Sequence, residues 1–250
     1  MSDNATVIAA ANTKGGCGKS TAVLILAGEY AAQGYRVHIV DADPRKRLLK
    51  WAGLEPLPEK PTTRPDGYLS PASSIPQAIT VTAATATNMR AEIEKARSLA
   101  DVVLIDVEGT ANASLTLAVA YANLVIIPAT ISPPDVEDGL ATIKLVQDMA
   151  HASRRNIPHG FLWSNVPPAI RSREMVNLEG QVEQAGIPVL ARIFQRTAFS
   201  SMFSFQTTLD ELPPSEVSGL DKAKADAIRL TDAIERLMKP DANSTAEAAA

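Results

Sequence analysis

The chain has little that would suit a secreted, metal-binding or membrane-spanning protein. Its one cysteine, Cys17, cannot form an intramolecular disulfide, which indicates a reducing compartment, and it cannot by itself hold an iron–sulfur cluster. The three histidines share no metal-ligand spacing. No charged start precedes a long apolar run, and no segment reaches the ~18 uninterrupted apolar residues of a membrane span. We therefore expect a soluble, cytoplasmic protein.

A strong net charge is also lacking. The formal net charge is −4, so any binding to nucleic acid or anionic lipid must come from a local basic patch. A length of 250 residues, 46% of them hydrophobic, is enough for one sizeable α/β domain, whereas a second full domain would be crowded. We predict a single domain over residues 1–239 and a disordered tail over 240–250, which is rich in alanine and small polar residues.

What the chain does have is a glycine-rich turn, NTKGGCGKST at residues 12–21, between an apolar run and an amphipathic one. Its glycines are Gly15, Gly16 and Gly18. Because they lack a Cβ, the backbone can turn successive N–H groups toward one anion, and the following helix adds its positive dipole end. Lys19 would reach the β- and γ-phosphates, and the Ser20 hydroxyl would complete the shell of a Mg²⁺ ion. The stretch predicts a nucleoside-triphosphate site.

Apolar runs alternate with amphipathic segments along the whole chain. This alternation predicts an α/β fold with a mainly parallel, twisted sheet of about seven strands and helices on both faces. The predicted strands are 7–11, 36–43, 77–83, 101–106, 124–128, 161–165 and 189–193. The first predicted helix starts near Gly18 and includes the amphipathic run 22–32, and the others are 44–51, 88–100, 111–122, 133–151, 171–185 and 220–237. The proline-rich stretch 55–76 is predicted to be a surface loop.

Three of these helix starts carry specific signals. Pro44 suits the first turn of the short second helix, and Asp135 is expected to cap the helix that opens at Pro133. The sequence Ser218-Gly219-Leu220-Asp221 is typical of a capping box for the last helix.

Carboxylates stand at the ends of two predicted strands. RVHIVDAD ends in Asp41 and Asp43, and DVVLID ends in Asp106. Open α/β sheets bind ligands beyond the carboxyl ends of their strands, so these groups are expected beside the phosphate turn, where phosphoryl transfer needs them for Mg²⁺ and the attacking water. Asp43 has an equally good alternative role as a cap for the next helix.

The phosphate turn resembles the deviant Walker motif of the ParA/MinD ATPases. It has Thr13 where the common motif has glycine, and it gains a second lysine, Lys14, in the pattern K-G-G-x-G-K-S. The resemblance implies ATP and Mg²⁺ as cofactors and a homodimer that forms with ATP, in which Lys14 reaches the partner's nucleotide. It ties Asp41 to hydrolysis and Asp106 to Mg²⁺.

The resemblance gives the following site. The implied catalytic residues are Lys14, Lys19, Asp41 and Asp106, and the implied Mg²⁺ ligands are Ser20, Asp41 and Asp106. The implied nucleotide-binding residues are Gly15, Gly16, Cys17, Gly18, Lys19, Ser20, Thr21 and Asn165. Asn165 matches the asparagine that recognises adenine in the family; its alternative role is a turn residue before Pro167.

The residues after Asp106 depart from the common pattern of the family and point to one of its branches. Many relatives continue the Asp106 strand as D-T-P-P, but this chain reads Asp106-Val107-Glu108-Gly109-Thr110. This feature and the segment from the D-A-D-P element to Trp51 look most like the VirC-type branch, ParA-like proteins associated with plasmid partition and DNA transfer. The expected function is an ATPase that positions or segregates DNA or another cargo by nucleotide-controlled, non-specific DNA binding. A ParB-like or cargo adaptor would stimulate its slow hydrolysis, and the protein would associate with the nucleoid.

Basic residues of the C-terminal third are the predicted DNA contacts. Lys222, Arg229 and Arg236 recur at a spacing of seven, which places them in one stripe on the last helix. The full predicted set is Arg171, Arg173, Arg196, Lys222, Arg229 and Arg236. The alternative is that Lys222 with Asp226, and Asp232 with Arg236, are ordinary intrahelical ion pairs.

Two other functional classes are alternatives. A MinD-like ATPase binds membranes through a C-terminal amphipathic helix, but the tail STAEAAA lacks basic and bulky apolar faces, so we expect no membrane binding. A metabolic enzyme of the dethiobiotin-synthetase type would use the same fold on a small molecule. Lys14 argues against that class, and ATP turnover that depends on a metabolite would favour it.

Overall fold

The computed structural model describes residues 5–54, 75–168 and 172–239. The strands are β1 Thr6–Ala10, β2 Val37–Ala42, β3 Ile79–Ala83, β4 Val102–Val107, β5 Leu124–Ala129, β6 His159–Val166 and β7 Val189–Phe194. The helices are α1 Lys19–Ala32, α2 Arg47–Trp51, α3 Met89–Leu99, α4 Ala113–Tyr121, α5 Pro133–Ser153, α6 Arg173–Gln184, α7 Thr197–Ser204 and α8 Leu220–Met238. The predicted tail and most of the predicted 55–76 loop lie outside the described residues.

The strands form one seven-stranded sheet in the order β3-β2-β4-β1-β5-β6-β7. Every neighbouring pair is parallel. Strands β4 and β5 are buried at every position because a parallel sheet carries helices on both faces, and this is why they read as continuous apolar runs. The predicted α/β class and sheet are confirmed.

The core consists of two layers, one on each face of the sheet. Along β1, Ile8 and Ala10 belong to the layer that includes α1, α7 and α8, while Val7 and Ala9 belong to the layer that includes α3, α4, α5 and α6. Side chains alternate between the faces of a strand, so each strand contributes to both layers. The central β1 is therefore held from both sides where it leads into the phosphate turn.

The register of the sheet brings the predicted carboxylates together. Asp41 on β2 pairs directly with Asp106 on β4, and Asp106 pairs with Ala10 at the end of β1. Both aspartates are fully buried. The carboxyl ends of three adjacent strands thus meet at the start of the phosphate turn, which is the edge where open α/β sheets bind ligands.

Three predicted signals at helix starts are wrong, although α5 and α8 begin at the predicted residues Pro133 and Leu220. Helix α2 begins at Arg47, after Lys46 in a left-handed conformation, so Pro44 lies in the preceding turn. The cap of α5 is Ser132, whose side chain accepts from the Asp135 N–H; Asp135 itself lies in the first turn. The cap of α8 is Gly219, in a left-handed conformation and without a side-chain cap, so no capping box forms.

Helix α7 was missed by sequence reasoning. Its sequence, TAFSSMFS, is short and rich in serine and phenylalanine, which are indifferent helix formers. Its buried residues Ala198, Phe199 and Met202 follow helical spacing and pack into the layer that holds α1 and α8. Tertiary packing, rather than local propensity, makes this segment helical.

Candidate nucleotide site

The phosphate turn leads from β1 into α1 and is closely packed against β6. Gly18 precedes the helix with φ +96, and a Cβ there would lie 2.9 Å from the Cβ of Ser164. The Ser164 hydroxyl donates to the Cys17 carbonyl at 2.6 Å. Position 18 therefore needs glycine both for its backbone conformation and for the close approach of β6.

The first half of the turn is fixed by hydrogen bonds to β5 and α5. The Asn12 amide donates to the Pro128 carbonyl at 2.7 Å, and its oxygen accepts from the Lys14 N–H at 2.9 Å. The Thr13 hydroxyl donates to Asp138 at 3.3 Å. These bonds hold the turn in place before any ligand binds.

Lys19 lies inside the turn. It is 6% exposed, and its ammonium group donates to the carbonyls of Lys14 at 2.6 Å and Asn12 at 3.1 Å. A buried ammonium group must be hydrogen-bonded, and here the turn itself supplies the acceptors. The charge that would meet a phosphate group is thus already held at the centre of the turn.

Ser20 and Asp106 form the closest contact between the turn and β4. The Ser20 hydroxyl donates to Oδ2 of Asp106 at 2.6 Å. The other carboxylate oxygen, Oδ1, is buried and makes no hydrogen bond within the described part of the chain. Burial raises the pKa of Asp106 to about 7, and the hydrogen bond from Ser20 offsets that rise only in part. A hydroxyl beside a carboxylate oxygen without a partner is a donor set that fits Mg²⁺.

Asp41 has its oxygens engaged. It accepts backbone N–H groups from Asp43 at 3.2 Å, Leu48 at 2.9 Å and Leu49 at 3.0 Å. Burial raises the pKa of Asp41 above its ordinary value, although these N–H groups favour the ionised form. Asp41 therefore ties the end of β2 to α2. Asp43 accepts from the Arg45 N–H at 2.8 Å and so serves the turn before α2.

Lys14 points away from the turn and pairs with Asp135 of the same chain. Asp135 also accepts from the hydroxyls of Thr130 at 2.6 Å and Ser132 at 2.9 Å. Burial acts to raise the pKa of Asp135, but the hydrogen bonds from Lys14, Thr130 and Ser132 outweigh it, and the pKa lies below its ordinary value. The hydrogen bond to Asp135 likewise raises the pKa of Lys14. Both groups are charged at neutral pH.

Described residues of the turn line a pair of neighbouring cavities. The first, of about 320 Å³, is lined by the glycines of the turn together with Lys19, Ser20 and Glu108. We call it the phosphate cavity. The second, of about 460 Å³, is lined by apolar residues such as Ile25 and Leu162 and by the predicted adenine residue Asn165. We call it the base cavity. Their volumes and linings suit the two ends of a nucleotide.

Gly109 explains part of the departure after Asp106. A Cβ at this position would lie 2.3 Å from the backbone nitrogen of Gly15. The segment Glu108-Gly109-Thr110 thus runs directly against the phosphate turn, and only glycine permits that approach. Nothing in the isolated pattern D-V-E-G-T signals this contact, because its partner lies far away in the sequence.

The predicted DNA contacts are distributed over two environments. Lys222, Arg229 and Arg236 are exposed on α8, and Arg173 is exposed at the start of α6. Arg196 is only 16% exposed in its side chain, and its Nε donates to Asp226 at 2.7 Å. Arg229 bonds the same buried carboxylate, so Asp226 takes arginines rather than the Lys222 partner considered above. Arg171 lies outside the described residues.

No helix within the described ranges is long and apolar enough to cross a membrane. Those ranges also contain no group of three or more histidine, cysteine, aspartate or glutamate side chains placed to hold a metal ion. A Mg²⁺ ion beside Ser20 and Asp106 would therefore take most of its ligands from water and phosphate, as Mg²⁺ commonly does in phosphoryl-transfer sites.

A parallel sheet whose first strand opens into a two-lysine phosphate turn, beside a buried aspartate of the neighbouring strand, is the architecture of the ParA/MinD superfamily, to which the family match and the relatives also point. Residues 5–210 match the family described as VirC1 protein, and the chain belongs to that family. Protein ParA of Rhizobium radiobacter is 28% identical over 236 residues, which cover 91% of this chain and 99% of the relative.

Solved structures share the fold. A Cyanothece McdA variant in complex with ATP matches with a TM-score of 0.70 at 17% identity, over 93% of this chain and 97% of that chain. The septum site-determining protein MinD of Pyrococcus horikoshii OT3, complexed with Mg-ADP, matches with a TM-score of 0.67 at 17% identity, also over 93% and 97%. The predicted superfamily is confirmed by the family match and the fold.

Proposed function

We propose that this protein is an ATP-dependent, dimerising ATPase that positions or segregates DNA or another cargo through nucleotide-controlled, non-specific DNA binding. The observation that carries the proposal is the hydrogen bond of 2.6 Å from the Ser20 hydroxyl to Oδ2 of Asp106. The other oxygen of this carboxylate, Oδ1, is buried and has no hydrogen-bond partner among the described residues. Membership of the VirC1 family and the likeness to Protein ParA support the same function.

The phosphate turn supplies the binding charge. Backbone N–H groups of residues 15–21, Cys17 included, would cradle the α- and β-phosphates, and Lys19 would exchange its carbonyl partners for the β- and γ-phosphates. Ser20 and Asp106 would hold Mg²⁺, with Asp41 close by at the paired strand position. When bound, Mg²⁺ neutralises negative charge that develops on the phosphates.

Lys14 is proposed to act in the partner subunit. A cation supplied in trans to the γ-phosphoryl group is worth about 10³ to 10⁵ in rate in arginine-finger enzymes. In the single chain Lys14 is bound to Asp135, so this action requires the pair to open. Hydrolysis by the monomer is then slow, and a ParB-like or cargo adaptor that favours the opened state would stimulate it.

The base cavity is proposed to hold the adenosine. Asn165 is exposed at its wall with φ 51, a backbone conformation that asparagine tolerates better than most residues. Its amide can both donate and accept, which matches the edge of adenine.

DNA binding is proposed for the basic stripe of α8, defined as Lys222, Arg229 and Arg236. All three are exposed, and the spacing of seven keeps them in line along the helix. Arg173, Arg171 and Arg196 are proposed to extend the surface, with Arg196 the weakest member because Asp226 holds it. Such binding would associate the protein with the nucleoid.

Nucleotide binding and turnover test the ATPase roles. Lys19→Ala is expected to abolish binding of ATP, whereas Asp41→Ala is expected to bind ATP and fail to hydrolyse it. Isothermal titration and phosphate release measure the two steps, and Lys144→Ala, an exposed lysine on α5, is the matched control. Equal loss of ATP affinity in both variants would show that the assigned roles are wrong.

Light scattering tests dimerisation. We expect a dimer with ATP and Mg²⁺, most clearly in Asp41→Ala, and a monomer with ADP or without nucleotide. A monomer under every condition would refute the trans role of Lys14.

Salt dependence tests the DNA surface. Each phosphate contact that is lost should reduce the slope of log affinity against log salt by roughly 0.9. Lys222→Ala and Arg236→Ala are expected to show this reduction with ATP, and Arg196→Ala a smaller one. Unchanged slopes would place the site elsewhere. An absence of ATP-dependent DNA binding would favour a metabolic enzyme of the dethiobiotin-synthetase type.

A further inference from the structure

The phosphate cavity and the base cavity share one wall. The residues that line both are Gly16, Gly18, Thr21, Arg47 and Phe203. Three of them belong to the phosphate turn and the start of α1, whereas Arg47 comes from α2 and Phe203 from α7. A ligand that extends from one cavity into the other must pass this shared wall.

Among the described residues of the shared wall, Arg47 is the only cation. Its side chain is exposed, and no hydrogen bond or ion pair engages it within residues 5–54, 75–168 and 172–239. The neighbouring Arg45 lines the phosphate cavity but not the base cavity. An unpaired guanidinium group between two parts of a polar cleft is placed to bind an anion there.

The position of Arg47 is fixed by the backbone that follows it. The next two N–H groups, of Leu48 and Leu49, donate to Asp41 at 2.9 and 3.0 Å. The first residue of α2 is therefore attached to the buried end of β2, and its side chain starts from a fixed point.

Helix α2 is hydrogen-bonded to α7 and to the residues that directly follow α7. The Trp51 indole N–H donates to the carbonyls of Met202 at 3.1 Å and Thr207 at 3.2 Å. The Gln206 amide donates to the Lys50 carbonyl at 2.8 Å. Arg47 and Phe203 are thus carried by one hydrogen-bonded pair of helices that borders both cavities.

We propose that Arg47 is a nucleotide-binding residue supplied by the same chain, with its guanidinium group on the α- and β-phosphates, and that Phe203 packs beside the sugar. This inference rests on the proposed ATPase function. The shared wall includes Thr21, which lies beyond Lys19 and Ser20 on the side toward the base cavity, so Arg47 borders the α-phosphate end rather than the γ end. Arginine can bind phosphate oxygens in a bidentate manner.

This placement predicts equal effects on two nucleotides. Arg47→Ala is expected to weaken Mg-ADP and a non-hydrolysable ATP analogue by the same factor, about tenfold, as for the loss of a charged hydrogen bond in a half-open site. Arg47→Gln keeps length and polarity without charge and should lose a similar factor, while Arg47→Lys should lose less. Phe203→Ala should weaken both nucleotides by a smaller factor.

Isothermal titration of the full chain tests the proposal, with Lys50→Ala as a control that removes a charge from α2 without touching either cavity. An equal loss for both nucleotides in Arg47→Ala, with Lys50→Ala within twofold of the parent, supports it. Loss for the ATP analogue alone, or equal losses in Arg47→Ala and Lys50→Ala, overturns it. Unchanged affinity in Arg47→Ala and Arg47→Gln also overturns it. A parent chain that binds neither nucleotide would instead refute the ATPase function.

Discussion

Lys14 and Asp135 form an ion pair that joins the phosphate turn to the first turn of α5 within one chain. The pair holds the lysine that distinguishes this motif from the common phosphate loop. The hydroxyls of Thr130 and Ser132 hold the Asp135 carboxylate in position. Lys14 therefore loses a well-placed ion-pair partner if its side chain moves away. The same contact that orders the monomer therefore opposes a role of Lys14 in a second subunit.

Removal of the Asp135 charge should favour the dimer. In Asp135→Asn, the negative charge that holds Lys14 is removed while one side-chain oxygen remains, so we expect the ATP dimer to form at a protein concentration about threefold lower, as measured by sedimentation. Asp138→Asn is the control, because Asp138 contacts Thr13 one turn further along α5. A dimer that weakens in Asp135→Asn would show that Asp135 supports the association instead.

Gly109→Ala should damage the phosphate turn. The added Cβ would lie 2.3 Å from the backbone nitrogen of Gly15. The backbone of the phosphate turn would have to shift to remove this clash. We expect the melting temperature to fall and ADP affinity to drop about tenfold or more. Gly180→Ala is the control: no atom lies within 4 Å of its Cβ, and alanine in helix α6 should be neutral or stabilising by up to about 1 kcal/mol. Equal behaviour of the two variants would contradict the close approach.

The two tryptophans should respond differently to replacement by phenylalanine. Both are buried, but the Trp51 N–H serves two carbonyls, whereas the Trp163 N–H makes no hydrogen bond in the described part of the chain. Trp51→Phe should lower the free energy of unfolding by about 1–3 kcal/mol more than Trp163→Phe, since the lost side-chain volumes match and only the Trp51 replacement removes hydrogen bonds. Urea denaturation measures this difference. A larger loss in Trp163→Phe would refute it.

Glu29 should make stability depend on pH. Burial, with Asp210 and Asp232 nearby and Lys224 opposing them, raises its pKa from 4.5 to about 7. The folded state holds this proton more tightly than the unfolded state, so its contribution to stability falls as pH rises from about 4.5 to 7. Glu29→Gln should stabilise the protein by about 1 kcal/mol at pH 8, after allowance for solvent, and by little at pH 5. Thermal melts at both values test this, with exposed Glu137→Gln as control.

Much of the fold could be predicted from the sequence because parallel strands buried on both faces are written as continuous apolar runs. The runs VVLIDV and LVIIPA are typical of buried strands. Asp41 and Asp106 stand near the ends of neighbouring parallel strands and therefore lie at one edge of the sheet. Helix α7 could not be predicted, since its serines and phenylalanines favour no structure strongly. The Ser132 cap was missed because Asp135, three residues later, is an equally good capping type.

The α/β architecture, the phosphate turn and the acidic ends of β2 and β4 follow from the amino-acid pattern alone. Their signals are local: glycine spacing, a lysine after the last glycine, and apolar runs that stop at a carboxylate. Only the tertiary structure decided which partner each group takes. Most of these contacts join residues from elements that are distant in the sequence. They are Lys14 with Asp135, Gly109 with Gly15, Trp51 with Met202, and Asp226 with Arg196. Asp226 also pairs with Arg229, one turn further along the same helix. The physical reason is that charge and hydrogen-bond partners are chosen by packing, on which a linear pattern carries no direct information.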